Sequence, residues 1–271
     1  MKFLIKQEWD KFLSKLSFNK NNTQTETQIE KIFYEISQRI KDLIVKKNFT
    51  HADYGIAMTL FHYYIYFFDI RNIDSTEICF ACIYMTSKIQ FYNIPIKEFI
   101  RDYKEYIKDK SGNDKKPDFI KYEMQLYSQL GYDLDIETPY QFFYNCFYLV
   151  CIKSDNKEKI DKLKNFCYNL INDTYARPLS IYYHPKIIYL SCLIISLKFL
   201  EYNEFDINKL LKDERKDIVS ECMENICQIY SRFIEDNSNN ININNNANSS
   251  NNNNNDKKIS DEYKIINNNN N

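Results

Sequence analysis

Apolar residues recur along this chain at three- and four-residue intervals, and alternation of the kind a strand needs is not sustained anywhere. Ile5, Trp9, Phe12, Leu13 and Leu16 form one stripe, which predicts an amphipathic helix at 2–17. The same period predicts helices at about 26–47, 51–69, 74–90, 95–108, 117–130, 139–152, 158–175, 185–202, 206–212 and 214–235. Four of the five prolines stand where helices begin, because proline is tolerated in the first turn and breaks the interior. Thr138-Pro139-Tyr140-Gln141 is the sharpest start, with Thr138 as N-cap, Pro139 at the first helical position and Gln141 reaching back. Pro95, Pro117 and Pro185 open helices in the same way, Asp74 with Glu77 caps another, and Gly131 closes the helix that Pro117 begins.

The pattern repeats at an offset of 110 residues. Ala81-Cys82-Ile83-Tyr84-Met85-Thr86-Ser87-Lys88-Ile89 lies over Ser191-Cys192-Leu193-Ile194-Ile195-Ser196-Leu197-Lys198-Phe199. The same offset sets Phe33-Tyr34 over Phe143-Tyr144 and Leu60 over Leu170, and it fails in the fourth and fifth helices. Two tandem five-helix domains are the economical reading. In each copy the third helix is apolar on nearly all sides, which predicts a central helix wrapped by the others.

Composition narrows the chemistry. The 271 residues are enough for two modest cores, and 36 Lys+Arg against 37 Asp+Glu give no bulk charge for a nucleic-acid partner. Only three glycines are present, Gly55, Gly112 and Gly131, so no phosphate-cradling loop can be built. His51, His62 and His184 lie far apart, and none sits beside a Ser or Cys nucleophile signature. No catalytic residue is assigned, and no cofactor or metal is expected. The eight cysteines, in a chain showing no secretory signal, read as reduced thiols. Cys79 and Cys82 have C-x-x-C spacing but sit in an apolar run with no second pair, so they read as small buried hydrophobes. No apolar run reaches the length of a membrane span. From Asp236 onward the chain is Asn-rich and nearly free of apolar clusters, which predicts a disordered tail.

Several of these segments resemble the double cyclin box over roughly Glu26 to Glu235. Leu60-Phe61-His62-Tyr63-Tyr64 resembles the Y-F-H-R-F element of the first box, and Thr86-Ser87-Lys88 its A-S-K helix ending. Tyr122-Glu123 and Gly131-Tyr132-Asp133-Leu134 resemble the M-E and F-D-L positions. Thr138-Pro139-Tyr140-Gln141-Phe142, Leu170-Ile171-Asn172-Asp173-Thr174-Tyr175 and Pro178-Leu179-Ser180 look like the transcription-associated cyclins of the K, L, T and C types, the K type most. In place of the M-R-A-I-L substrate-docking motif, residues 29–40 read Ile-Glu-Lys-Ile-Phe-Tyr-Glu-Ile-Ser-Gln-Arg-Ile, so docking of that kind is not expected. Two departures stand out: the family follows its S-K with Val/Tyr-Glu-Glu where this chain has Ile89-Gln90-Phe91, and Tyr63 replaces the Arg of Y-F-H-R-F.

The resemblance implies an all-α protein: an N-terminal helix and linker (1–25), a first cyclin box (26–137), a second (138–235) and the Asn-rich tail (236–271). It implies a non-enzymatic regulatory subunit whose first box binds a cyclin-dependent protein kinase, holding the kinase C-helix so that its Glu pairs with the Lys that orients ATP phosphates. On this chain the two charged kinase-binding positions fall on Lys88 and Glu123, and the apolar contacts on Met85, Ile89, Tyr127, Tyr132 and Leu134. Lys198 matches Lys88 in the repeat but lacks a counterpart of Glu123, so it is expected to be dispensable. A transcription cyclin would work in the nucleus on the C-terminal tail of RNA polymerase II, without contacting nucleic acid or membrane itself. Two alternatives stay open: a DNA-binding protein with paired cyclin-like domains of the TFIIB type, and a cyclin-like scaffold that binds without activating. A salt titration of DNA binding addresses the first, and kinase reconstitution the second.

Overall fold

The computed structural model describes residues 23–68, 74–111, 117–132, 134–151, 156–202, 211 and 216–245. Within them the chain is all-helical, with α1 (Thr23–Lys46), α2 (His51–Phe67), α3 (Ser75–Ile89), α4 (Ile96–Ser111), α5 (Phe119–Gln129), α6 (Pro139–Cys151), α7 (Lys157–Thr174), α8 (Leu179–Tyr182), α9 (Pro185–Phe199) and α10 (Lys216–Asn245). The helix expected at 2–17 and the tail beyond residue 245 lie outside the described residues. So does the short helix expected at 206–212, apart from the buried Leu211.

Helix α3 packs against α1, α2, α4 and α5, and α9 against α6, α7, α8 and α10, which gives two helical units in tandem, each around a central helix. The repeat is carried down to single hydrogen bonds. Thr86 Oγ1 donates to the Cys82 carbonyl at 2.9 Å in α3, and Ser196 Oγ to the Cys192 carbonyl at 2.6 Å in α9. Cys79 and Cys82 are buried in α3, and burial pushes the Cys79 thiol up to about 12, so both behave as core hydrophobes. Among the described residues no group of three His, Cys, Asp or Glu side chains could hold a metal, and no helix is long and apolar enough to cross a membrane.

The helix starts follow capping chemistry, with local differences from the expected pattern. Asp74 caps α3, accepting from the amides of Thr76 and Glu77. At α6 only half of the expected capping box forms: Gln141 Oε1 accepts from the Thr138 amide at 3.2 Å, while Thr138 Oγ1 is buried without a partner. The complete reciprocal box is at α2, where Thr50 and Asp53 each accept from the other's amide. Helix α5 starts two residues later than Pro117 predicts, because Asp118 is its N-cap. Helix α10 continues to Asn245, past the Asp236 boundary, since extending an established helix avoids the cost of nucleation.

Helix α2 is buried continuously from Asp53 to Ile65. It packs on α3 within the first unit and on α6 and α8 of the second. His62 makes the central polar contact of this seam. Its ring, 0% exposed, lies 2.9 Å from Ser180 Oγ through Nδ1 and 3.2 Å from the Tyr175 carbonyl oxygen through Nε2. A carbonyl can only accept, so Nε2 carries the proton and Nδ1 accepts from the Ser180 hydroxyl. Beside it Tyr140 packs against Tyr168 and Tyr175, and Tyr54 meets Tyr175 edge-on.

Candidate functional site

The charged pair singled out by sequence comes together at the C-terminal end of α3. Lys88 Nζ donates to Glu123 Oε1 across 2.5 Å, joining α3 to α5. The Lys88 side chain is 41% exposed and Glu123 9%, so the lysine faces outward while the carboxylate sits deeper. Lys88 also lies over the Tyr84 ring, 4.5 Å from its centroid. Burial would lower the Lys88 pKa, but the hydrogen bonds to Glu123 and Tyr84 and their charges outweigh it, and the ammonium is held above its ordinary value. Burial, and then the Glu123 charge, push the Tyr127 phenol up.

Two contacts fix α5, one to α3 and one to α2. Glu77, buried in the first turn of α3, accepts from the Asp118 amide at the start of α5. Tyr64 of α2 donates to Gln125 Oε1 at 2.9 Å. The pair is therefore set by helix packing and does not depend on a flexible loop.

The apolar positions divide. Tyr132 is 71% exposed and stacks on the partly buried Tyr127, with centroids 6.2 Å apart. Ile89 and Leu134 are partly buried against the core, leaving some surface for a partner. Met85 is a correction: it is 0% exposed, on the core side of α3, and cannot touch another protein. Its three-residue spacing from Lys88 pointed to a shared face, but α3 is buried from Glu77 to Ser87, and at this end only Lys88 and Ile89 emerge. Sequence reasoning passed over other exposed apolar residues here, Phe91, Ile120 and Met124. Ile120 and Met124 were legible, since they fall on the same helical stripe as Glu123 and Tyr127.

Solved structures share this architecture. A chain of the yeast TFIIK (Kin28/Ccl1/Tfb3) complex matches with a TM-score of 0.61 at 17% identity, over 83% of this chain and 96% of that one. A chain of the yeast RNA Pol II CTD kinase CTDK-1 complex matches with a TM-score of 0.66 at 13% identity, over 85% and 73%. The chain has the cyclin fold. Curated relatives that it is similar to are named as cyclins: Cyclin-K of Danio rerio is 23% identical over 181 residues, 63% of this chain and 42% of that protein. Cyclin-K of Homo sapiens is 23% identical over 186 residues, 64% and 32%, and Cyclin-C1-1 of Oryza sativa subsp. japonica 26% over 132 residues, 47% of each. This cyclin-fold chain thus spans less than half the length of the curated relatives it matches. No family model matches it. On the cyclin fold, the Lys88–Glu123 pair lies where the last turn of the first central helix meets α5.

Proposed function

We propose that this chain is the regulatory subunit of a cyclin-dependent protein kinase, acting in transcription, and that its first box, residues 26–137, carries the docking surface. The second box would begin at Thr138. The observation that carries the reading is the Lys88–Glu123 pair, preset at 2.5 Å beside exposed apolar side chains. An ammonium donates and a carboxylate accepts, so together they match the carbonyl and amide groups of a partner's backbone, while the apolar rim supplies desolvated area. Ile89, Tyr127, Tyr132 and Leu134 complete that rim, and Met85 supports it from beneath.

The subunit makes no bond in the substrate. It shifts the kinase toward its active conformation, by no more than the margin with which it prefers that state. Relatives named Cyclin-K and fold neighbours in RNA Pol II CTD kinase and TFIIK complexes support a transcriptional role, and with it a nuclear location.

The test is affinity purification followed by reconstitution of kinase activity with and without the chain. Lys88→Glu and Glu123→Lys should each weaken the complex by ~2–5 kcal/mol, the range for removing one partner of a buried charge contact. Lys198→Glu, at the matching exposed position of α9, should leave binding intact. Equal loss at both lysines rejects the assignment, and binding without stimulation converts the chain into a scaffold.

A further inference from the structure

Helices α3 and α9 stop in the same way. Phe91 and Glu201 hold equivalent left-handed positions, with φ 57° and 56°. The Phe91 amide donates to the Lys88 carbonyl at 3.1 Å and the Tyr92 amide to Ser87 at 2.9 Å. In the second box the Glu201 amide donates to Lys198 at 3.2 Å and the Tyr202 amide to Leu197 at 2.9 Å. Such a stop favours glycine or asparagine, because a Cβ crowds the left-handed backbone. The second box closes it with Glu201, so the turn itself has no need of an aromatic ring.

Phe91 is nevertheless 84% exposed, the most exposed large apolar side chain among the described residues. Its ring adds nothing to the core, and its backbone sits where few phenylalanines are found. The next residue is firmly fixed: Tyr92 stacks on Phe49 with centroids 4.5 Å apart and donates to Asp53 Oδ2 at 2.8 Å. The ring is thus presented on a rigid base, which reduces the ordering cost of docking. It stands three residues past Lys88, on the turn that closes α3, and Ile120, Met124 and Tyr132 are exposed on and just after α5. Lys88 and Glu123 neutralise each other, and Gln90 and Phe91 are uncharged where the resembled family carries two acidic residues. The two residues that follow Ile89 therefore bring no charge of their own for a partner to recognise.

We infer that Phe91 is an anchor of the docking surface and seats in an apolar pocket of the partner kinase, a pocket without the basic side chain that an acidic residue here would meet. This rests on the kinase-subunit reading above and adds the chemistry of the partner. The probe is the kinase that co-purifies with the wild-type chain and not with Lys88→Glu, produced in recombinant form and titrated by calorimetry.

Phe91→Gly relieves the left-handed backbone and should raise the thermal midpoint by about 2–4 °C while weakening binding about thirtyfold. A merely structural phenylalanine would not move those two readouts in opposite directions. Phe91→Glu should weaken binding at least as much, Phe91→Leu by only about threefold, and Glu201→Phe not at all. If the Phe91 variants bind like wild type while Lys88→Glu does not, the anchor is refuted and the kinase reading stands. If no kinase binds the wild-type chain, both fail. Should the wild-type chain self-associate in sedimentation and Phe91→Glu abolish that without altering kinase affinity, the pocket belongs to a second copy and the inference is overturned.

Discussion

His62 makes the seam between the two boxes sensitive to acid. The ring is fully buried among Phe33, Phe61 and Tyr175, and its two nitrogens are committed to Ser180 and the Tyr175 carbonyl. Burial lowers its pKa from 6.5 to about 3, against a smaller opposing effect of the Tyr175 hydrogen bond. The folded value is depressed, so the folded chain stays neutral at His62 while the unfolded chain takes up a proton below about pH 6.5. The stabilisation is complete above that pH and drains away as pH falls toward 3. At about 1.4 kcal/mol per pH unit, the whole window amounts to about 4–5 kcal/mol. Carboxylates also titrate there, so the measurement is a comparison: urea unfolding from pH 7 to 4 for wild type and His62→Gln, a neutral side chain with a donor and an acceptor. Wild type should lose stability more steeply by about one proton, so the gap between the two closes by about 1.4 kcal/mol per pH unit from pH 6 to 4. Parallel curves, or a His62 imidazole resonance that titrates near pH 6.5 in the folded chain, would overturn this account.

Substitutions at two further positions separate packing from docking. Gly55→Ala places a Cβ 2.7 Å from Tyr175 Oη and 2.9 Å from the Tyr140 ring, so it should cost about 1–3 kcal/mol of stability, read as a lower urea midpoint. Met85→Ala should cost about 2–5 kcal/mol by opening a cavity in α3, whereas Met85→Leu should leave kinase binding unchanged; a binding loss in the leucine variant would return Met85 to the interface.

The architecture was largely legible because its two halves share one spacing. Helices α3 and α9 start and stop at the 110-residue offset, and their prolines and caps fix the starts to within a residue or two. What eluded the sequence is what long-range contact decides. The burial of α2 depends on residues more than a hundred positions away, as the pairing of His62 with Ser180 and Tyr175 shows. The four-residue α8 is too short for any periodicity. Met85 was misplaced because a helix apolar on all sides gives no cue to which turn emerges at the surface. The Lys88–Glu123 pairing, 35 positions apart, was legible only through the resemblance to cyclins.

The pair itself contributes little to the fold. With Lys88 41% exposed, the ion pair is screened by solvent, and the carboxylate loses part of its hydration to reach its site, so attraction and desolvation largely offset. The hold on α5 comes instead from Glu77 on the Asp118 amide, Tyr64 on Gln125, and the buried faces of Phe119, Tyr122 and Leu126. Replacing both charges at once, Lys88→Met with Glu123→Gln, leaves no uncompensated buried charge and should change unfolding free energy by no more than about 1 kcal/mol. The same double variant should lose the kinase, because neither new side chain reproduces the charged donor and acceptor presented to a partner backbone. A double variant that unfolds several kcal/mol more easily would make the pair a structural clamp, and its place beside the exposed rim would then say nothing about docking.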